Sequence, residues 1–439
     1  MLGYVKIFTY GCQMNDLDSL KMYTILENAG WEKTQDTQQA DIVILNTCSV
    51  RQKAYEKALS NLGRLGKVKK SRPELIIAVT GCVAQQRGRA FVHDMPYIDI
   101  VLGTHQMHLL PKIMEDLQTR RKPIVETAWG NGIPAMDIIP GQSHIDPPHR
   151  AYINIMQGCN NYCTYCIVPF VRGREISRDY KKILHEIEHH LSHGVKEIFL
   201  LGQNVNSFSG GISFTDLLRE IHAMDSLERL RFTTSHPKDM GKGLIACFGD
   251  LERLEAHCHL PFQSGSDTVL KAMNRGYTAQ RYLDLIRALK ASRPGMAFSA
   301  DTIVGFPKET DKAFQETLDL IKEVKFDVLY SFKYSPRPGT RAAAFTDDVS
   351  PQEKAHRLRE LQSLQKEITL ENNQARVGKI VEVLVDGKGS RHEGQIHGRT
   401  MENTIVNFKG DAGLVGKIVE VKITRANPNS LTGDQTKGE

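Results

Sequence analysis

Three cysteines, Cys159, Cys163 and Cys166, have the spacing with the clearest chemical meaning in this sequence; they lie in the segment QGCNNYCTYC. This C-x3-C-x2-C spacing gathers three thiols in one loop, which suits an iron–sulfur cluster in which each cysteine binds a separate iron. Three ligands on a four-iron cluster leave one iron open to a reactant, as at a catalytic metal site. The spacing differs from the ferredoxin run, which argues against simple electron transfer. Three buried structural thiols, or a zinc site without its fourth ligand, are the alternatives.

Cys12, Cys48 and Cys82 form a second set, and each ends a short apolar, β-branched run: VKIFTYGC, DIVILNTC and LIIAVTGC. Each cysteine alone is more typical of a small buried hydrophobic residue. At the carboxyl ends of neighbouring parallel strands, however, the three thiols could converge above the sheet. Geometry alone therefore leaves a second cluster and simple burial both open. Cys247 and Cys258 have no partner at a ligand spacing and are predicted to be packing residues.

The elements around the second set predict a parallel-sheet α/β domain over residues 1–130, because the three strands alternate with helix-like stretches at 19–28 and 53–65. The polar, proline-containing residues 131–150 are predicted to be a linker.

Residues 151–375 repeat the strand–helix alternation about six times, which predicts a partial (β/α)6 barrel rather than the closed eight-fold one. Active sites in such barrels lie at the carboxyl ends of the strands, where the polar clusters of this segment fall. A charged amphipathic helix at 350–375 has leucines at 358, 361, 364 and 370 and is expected to pack across the barrel. The predicted strands are AYINIMQGC, EIFLLGQNV, LRFTTS, AHCHLPF, FSADTIVGF and VLYSFKYS.

Residues 376–439 change to a period of two, with short strands between Gly and Asp turns. This pattern predicts a small antiparallel β-barrel. Residues 427–439 have the composition of a frayed polar tail.

Composition excludes several classes of protein. The 439 residues are 40% hydrophobic and 25% charged, as expected for a soluble protein of several domains. There is no apolar run near the roughly 18 residues that a membrane span needs, and no secretory signal at the start. We therefore expect a cytoplasmic protein whose eight cysteines do not form disulfides. The net charge of +6 permits a nucleic-acid partner without indicating one.

Longer motifs resemble a known family. QGCNNYCTYC, with Tyr165 before its last cysteine, resembles the radical S-adenosylmethionine signature. TYGCQMN, LNTCSVR, TGCVAQ, CIVPFVRGREISR, LPFQSGSDTVLKAMNRGYT and DTIVGFPKET resemble the methylthiotransferases, and GRTMENTIVNF resembles the TRAM domain. The resemblance covers nearly the whole chain. Among the methylthiotransferases, the chain most resembles the branch that acts on N6-isopentenyladenosine 37 of tRNA.

The resemblance implies two [4Fe-4S] clusters and S-adenosylmethionine as cofactors. Cys12, Cys48 and Cys82 fall on the ligands of the family's auxiliary cluster. Cys159, Cys163 and Cys166 fall on the ligands of the catalytic cluster that binds S-adenosylmethionine, with Tyr165 beside the adenine.

Further contacts to S-adenosylmethionine are expected at the carboxyl ends of the strands. Arg172 and Arg174 could pair with the carboxylate, since guanidinium suits bidentate binding. Gly305 would let the backbone approach the adenine closely. Helix capping, turn formation and surface salt bridges are the alternative roles. The remaining candidates are Gln203, Asn204, Ser235, His236, Gln263 and Asp301.

In the reaction that the resemblance implies, one S-adenosylmethionine methylates a sulfur on the auxiliary cluster. A second is cleaved to a radical that abstracts the C2 hydrogen of the adenosine. Both cysteine sets must then face one dry cavity, because a carbon radical would otherwise be quenched. The implied partners are the tRNA anticodon stem-loop, a reducing electron donor and a sulfur donor, and the chain is expected to be a monomer.

The terminal barrel is expected to hold the RNA stem through phosphate contacts, although a solvated charged face explains any single residue equally well. The candidates are Lys379, Lys388, Arg391, Arg399, Lys409, Lys417 and Arg425.

Three alternatives to this function stay open. Relatives within the same chemistry modify threonylcarbamoyladenosine in tRNA or an aspartate of a ribosomal protein. The TRAM-like motif, without a strongly acidic terminal domain, favours RNA. A non-catalytic RNA-binding iron–sulfur scaffold is the alternative from a different class, and the intact set Cys159, Cys163 and Cys166 argues against it.

Overall fold

The computed structural model describes residues 2–120, 122–130, 132–389 and 394–436. Within the first two ranges, six parallel strands form one sheet in the order β2-β1-β3-β4-β5-β6, with an apolar cluster on each face. The strands are β1 (Gly3–Thr9), β2 (Trp31–Lys33), β3 (Ile42–Thr47), β4 (Ile76–Gly81), β5 (Ile100–Leu102) and β6 (Ile124–Glu126). The helices are α1 (Gln13–Asn28), α2 (Gln52–Ser71), α3 (Cys82–Arg87), α4 (Arg89–Asp94) and α5 (Leu110–Arg120).

The three long strands of this sheet, β1, β3 and β4, are the three that the sequence predicts. β3 is buried along its whole length, as expected for a strand covered on both faces. The sequence analysis did not predict β2, β5 and β6, each of which is three residues long.

The predicted linker is packed against the first domain. It contains two 3-10 turns, Pro134–Asp137 and Gln142–His144. The buried Lys21 of α1 donates hydrogen bonds from Nζ to the carbonyl of Met136 (2.8 Å) and to Oδ1 of Asn154 (2.6 Å). This lysine therefore ties the linker to both the first and the central domain.

The central domain is the partial barrel that the sequence predicts. Its six parallel strands form two three-stranded sheets, β11-β10-β7 and β12-β13-β14, which approach each other through the bridge between Leu230 and Leu254. The strands are β7 (Arg150–Asn154), β8 (Met156–Gln157), β9 (Ile176–Ser177), β10 (Glu197–Leu201), β11 (Arg229–Phe232), β12 (His257–His259), β13 (Ala297–Val304) and β14 (Val328–Lys333). The helices are α6 (Val168–Val171), α7 (Tyr180–Ser192), α8 (Phe214–His222), α9 (Lys242–Asp250), α10 (Asp267–Ala272), α11 (Ala279–Ser292) and α12 (Asp311–Val324).

Helix α13 (Pro351–Gln374) follows an N-cap at Ser350 and packs against β14. Leu361 and Ile368 are its buried apolar residues, whereas Leu370 is only partly buried and lies outside the core. The predicted packing is therefore confirmed, but on a face that differs in part from the leucine pattern.

A buried ionic network fills the interior at the amino ends of the barrel strands. Arg231 donates to the carboxylates of Glu197 and Glu255, and the pair to Glu255 measures 2.6 Å. Burial alone would raise the pKa of Glu197, but Arg231 and Arg150 outweigh burial and hold this pKa at about 2. The neighbouring Arg229 donates to the carbonyl of Arg399 (2.8 Å), so the network also fixes the terminal domain.

The terminal domain is a closed barrel in the order β15-β16-β17-β19-β18, within residues 380–389 and 394–436. The prediction of a frayed tail is wrong, because Ser430–Gln435 forms a strand that closes this barrel. Leu431 is 0% exposed and pairs in parallel with Val406, so the barrel is not wholly antiparallel. One apolar residue in SLTGDQ was too weak a pattern to predict a strand. The strands are β15 (Ile380–Lys388), β16 (Gln395–Arg399), β17 (Ile405–Lys409), β18 (Ile418–Asn427) and β19 (Ser430–Gln435).

No helix in the described part of the chain is both long enough and apolar enough to cross a membrane.

Candidate active site

The loop between β8 and α6 carries Cys159, Cys163 and Cys166. Backbone hydrogen bonds fix this loop, among them one from Thr164 to the carbonyl of Met273 (3.0 Å). Burial raises the pKa of the Cys159 thiol, and burial together with the charge of Cys163 raises the pKa of Cys166 to about 12. Thiols with raised pKa values must lose a proton when they bind iron, so metal binding here is coupled to proton release.

Gly158 shapes the start of this loop. Its φ is +81°, and a Cβ at this position would overlap the carbonyl oxygen of Arg174. The Gly158 amide donates to Oε1 of Gln203 at 2.5 Å. Gln203, predicted to contact S-adenosylmethionine, thus holds the backbone beside Cys159.

Arg275 is a site residue that the sequence analysis missed. Its Nη1 donates to Sγ of Cys163 (3.3 Å), its Nη2 to the carbonyl of Pro261 (2.8 Å) and its Nε to Oη of Tyr277 (3.0 Å). The side chain is buried, and among the described residues it forms no salt bridge. Arg275 lies in MNRGYT, which is part of a segment that resembles the methylthiotransferases, and this resemblance could have identified Arg275 as a site residue. The sequence separation between Arg275 and the cysteines is not informative.

The amino-terminal cysteines lie where the strands predict. Cys12 is the N-cap residue of α1, Cys48 follows β3, and Cys82 begins α3 directly after β4. Because β1, β3 and β4 are neighbours, the three residues share one edge of the sheet. A hydrogen bond between Cys12 and Cys48 lowers the pKa of Cys12 to about 6 and raises that of Cys48. Burial raises the pKa of Cys82.

The structure places Arg172 at this second set of cysteines and not where the sequence analysis expected it. Its Nη2 donates to Oδ2 of Asp18 (2.7 Å) and its Nε to Sγ of Cys82 (3.3 Å). The reason is that α6 returns the chain to the amino-terminal domain, where Oγ1 of Thr104 donates to the carbonyl of Val171 (2.7 Å). The guanidinium is therefore engaged by Asp18 and Cys82 instead of being presented to a carboxylate of S-adenosylmethionine.

The two cysteine sets lie close to each other. Cys82 packs against Ile167 and Val171, and Ile167 directly follows Cys166. The structure thus joins the sheet edge of the first domain to the cysteine loop of the central domain.

Several predicted contact residues have intramolecular partners. Asn204 donates from Nδ2 to Oδ2 of Asp239 (2.8 Å). His236 accepts from the amide of Lys238 at Nδ1, and burial lowers its pKa to about 2. His236 is therefore a capping residue, the alternative role considered above. The hydroxyl of Ser235 is buried and has no hydrogen-bond partner among the described residues.

Lys354 approaches Gly305 closely. Its φ is +69°, and a Cβ here would overlap the aliphatic chain of Lys354 from α13. The close approach that requires glycine is made by Lys354. Of the other predicted residues, Gln263 has a φ of +68°, and Arg174 is exposed.

Tyr165 and Asp301 complete the predicted contacts. Tyr165 packs beside the apolar cluster that includes Phe306 and Tyr334. Asp301 is about one third exposed, and its Oδ2 lies 3.8 Å from Nε2 of His259.

The basic candidates of the terminal barrel divide into two groups. Arg399 lies 3.3 Å from Oδ2 of Asp386 and belongs to the buried interface with the central domain. Arg391 lies outside the described residues. The exposed candidates are Lys379, Lys388, Lys409, Lys417 and Arg425.

The donor sets fit iron–sulfur clusters. In the amino-terminal set each thiol affects the pKa of another, and in the central set the charge of Cys163 raises the pKa of both Cys159 and Cys166. In each set one buried arginine donates to one sulfur. Hydrogen bonds to sulfur are a common feature of protein-bound clusters. Among the described residues, no three His, Cys, Asp or Glu side chains are arranged to hold a single metal ion. In a four-iron cluster each cysteine binds its own iron, so the thiols need not share one ion.

Comparison with known families defines the class of the protein. Three family models match successive parts of the chain: Uncharacterized protein family UPF0004 over residues 4–103, the Radical SAM superfamily over 153–321 and the TRAM domain over 374–435. The radical S-adenosylmethionine methyltransferase TsrM of Kitasatospora setae has a similar fold, with a TM-score of 0.55 and 16% identity over 78% of this chain and 74% of that one. The cobalamin-dependent S-adenosylmethionine radical enzyme OxsB has a TM-score of 0.54 and 14% identity over 84% of this chain and 56% of that one. The predicted radical S-adenosylmethionine fold is confirmed.

Full-length relatives define the family more narrowly. A tRNA-2-methylthio-N(6)-dimethylallyladenosine synthase of Geotalea uraniireducens is 48% identical over 430 residues, covering 97% of each chain. The protein of that name from Geobacter metallireducens is 47% identical over 440 residues, covering 98% of this chain and 97% of the relative. This chain belongs to the family of radical S-adenosylmethionine tRNA methylthiotransferases.

Proposed function

We propose that this protein attaches a methylthio group to C2 of N6-isopentenyladenosine at position 37 of tRNA. The observation that carries the proposal is the junction of the two cysteine sets, where Cys82 packs against Ile167, the residue after Cys166. A substrate base bound beside this junction would lie near both sets. The names of the full-length relatives support a dimethylallyl, that is isopentenyl, adenosine as the substrate.

The cofactors supply the difficult chemistry and the protein places them. When bound, two [4Fe-4S] clusters and S-adenosylmethionine supply the electron, the hydrogen-abstracting radical and the methylthio group. Cys12, Cys48 and Cys82 would hold one cluster. Cys159, Cys163 and Cys166 would hold the other.

The neighbouring residues position these ligands. Arg172 and Arg275 each donate to one sulfur and so orient Cys82 and Cys163. Gln203 holds the backbone at the start of the central loop. The burial of most of these groups excludes water, which protects a reactive radical from unwanted hydrogen donors.

The partner in this proposal is the anticodon stem-loop of tRNA. Bases of such loops are unpaired and can be turned into a protein pocket. The exposed basic residues of the terminal barrel would contact phosphates, which makes binding sensitive to salt. The proposal further includes a reducing electron donor, a sulfur donor, a cytoplasmic location and a monomeric enzyme.

The test is a measurement of modified nucleosides in bulk tRNA. A strain that lacks this gene should lose 2-methylthio-N6-isopentenyladenosine by mass spectrometry of digested tRNA, and the intact gene should restore it. The Cys163→Ala variant, expressed at the same level, should not. No change in any 2-methylthio nucleoside would refute the tRNA substrate, and a change only in the threonylcarbamoyl derivative would assign the protein to the other tRNA branch.

A further inference from the structure

Three large apolar side chains on β14 are half exposed: Val328 (42%), Tyr330 (52%) and Phe332 (49%). We call these three residues the aromatic strip. Alternate residues of a strand share one face, and the intervening Leu329 packs against the core on the other face. The intervening Ser331 accepts a hydrogen bond from Gln362 of α13 on that same outer side. The aromatic strip therefore faces the interior of the partial barrel.

The aromatic strip lies on the last strand of an open sheet. Within the described residues β14 pairs only with β13. A barrel of six strands is not closed, and the side chains of the aromatic strip beside this open edge are accessible to solvent. Contiguous exposed apolar surface of this kind usually marks an interaction site.

One end of the aromatic strip lies near the central cysteine loop. Phe332 is in register with Ile303, and Ile303 packs beside the apolar cluster that Tyr165 also contacts. Tyr165 directly precedes Cys166. Tyr330, the next residue of the aromatic strip, lies further from the cysteine loop and is in register with Asp301.

Polar groups accompany the exposed rings. The ring of His259 lies edge-on to Tyr330 with the centroids 6.1 Å apart. His259 is also hydrogen-bonded to Oγ of Ser299 (2.8 Å) and lies 3.8 Å from the Asp301 carboxylate. An aromatic face flanked by hydrogen-bonding groups suits a nucleobase, which presents a π-face and polar edges.

Positive charge lies beyond the end of the strand. Arg341 is exposed in the 3-10 turn that follows the strand. Arg337, between the strand and this turn, donates to the carbonyl of Val50 (3.0 Å) and to Oε1 of Gln52 (2.9 Å), which brings it to the amino-terminal domain beside Cys48. Charge of this sign favours a phosphate-bearing partner over a purely apolar one.

We propose that the aromatic strip is a stacking platform for unpaired RNA bases next to the base that reacts. This inference rests on the proposed function and adds the surface that holds the neighbouring nucleotides. Tyr330 and Phe332 each stack on one base, while Asp301 and His259 offer polar atoms to a base edge. Stacking on aromatic side chains tolerates any base, so the platform supports substrates with different loop sequences.

The first test compares aromatic and aliphatic residues at the same positions. Tyr330→Leu and Phe332→Leu keep apolar bulk but remove the aromatic face, and Tyr330→Phe is the matched control. In the anaerobically reconstituted full chain, each leucine variant should bind an anticodon stem-loop RNA about ten-fold more weakly by fluorescence anisotropy. Tyr330→Phe should bind within about two-fold of the wild type, because its ring is retained. Leucine variants that bind as tightly as the wild type would overturn the proposal.

A second measurement reports stacking directly. In Tyr330→Trp, the introduced indole should be quenched by the stem-loop RNA and not by a duplex of the same length, with the wild type as the background. Quenching by a peptide but not by RNA would make the occupant a protein and would overturn the platform.

The two proposals can fail separately. If the wild type does not prefer the stem-loop to the duplex, the proposed function fails. If the wild type prefers the stem-loop and the leucine variants show the same preference, only the proposal of a stacking platform fails.

Discussion

In both cysteine sets a buried arginine donates a hydrogen bond to a sulfur, but only one of the two arginines has a carboxylate partner among the described residues. In each set a buried arginine donates to one sulfur at 3.3 Å, Arg172 to Cys82 and Arg275 to Cys163. Arg172 also forms a 2.7 Å salt bridge with Asp18. The other partners of Arg275 are the hydroxyls of Tyr165 and Tyr277 and the carbonyl of Pro261.

This difference separates a sulfur-bound arginine that has a carboxylate partner, Arg172, from one that has none among the described residues, Arg275. A cluster gains negative charge when it is reduced, so a nearby positive charge that no carboxylate offsets favours reduction. The central loop has such a charge in Arg275. In the amino-terminal set Asp18 offsets most of the effect of Arg172. We therefore expect Arg275 to change the charge at its own cysteine set more than Arg172 does.

The largest expected effect comes from removing the cysteines themselves. The triple variant Cys12→Ala, Cys48→Ala and Cys82→Ala should lose about half of its iron and still cleave S-adenosylmethionine. Cys163→Ala should abolish the cleavage. Iron analysis and an assay for 5′-deoxyadenosine check both outcomes, and cleavage lost in the triple variant would contradict the division of roles.

Breaking the salt bridge between Arg172 and Asp18 should have the next largest effect, which is on the free energy of unfolding. Arg172→Met leaves the buried carboxylate of Asp18 without its partner and should lower the free energy of unfolding by about 3–5 kcal/mol. The double variant Arg172→Met with Asp18→Leu should recover much of this loss, because no unpaired charge remains. Urea unfolding of the cluster-free chain measures both, and equal losses in the two variants would show that charge balance is not the cause.

Arg275→Met should cost less stability than Arg172→Met, although both arginines are buried. It leaves only neutral groups unpaired, so we expect a loss of about 1–3 kcal/mol. The same urea experiment gives the direct comparison. A loss as large as that of Arg172→Met would mean that a charged partner of Arg275 has been overlooked.

The smallest and most specific effect concerns the reduction potential of the central cluster. In the triple-alanine background, Arg275→Met should lower this potential in a titration followed by electron paramagnetic resonance, because it removes a positive charge near Cys163. Arg275→Lys keeps the charge and should shift the potential less. Arg172→Met is the matched control and should leave it almost unchanged, since Arg172 contacts the other set.

Much of the architecture could be predicted from local patterns. The long strands of the first two domains, the helices between them and the cysteine positions all follow from hydrophobic periodicity and spacing. The strand Ser430–Gln435 could not be predicted in this way, because its position depends on hydrogen bonds offered by β17 and β18. The close approach of Lys354 to Gly305 could not be predicted either, because the two residues are distant in sequence.

The sequence by itself indicated the set Cys159, Cys163 and Cys166, because a short covalent spacing within one loop keeps those three thiols within reach of one another. Only the tertiary structure decided that Cys12, Cys48 and Cys82 meet, because their approach depends on the order of β1, β3 and β4. Tertiary structure also decided which arginine serves which set. Arg172 follows the central loop in sequence, yet the return of the chain through α6 delivers it to Cys82, and Arg275 reaches Cys163 from a segment 112 residues away.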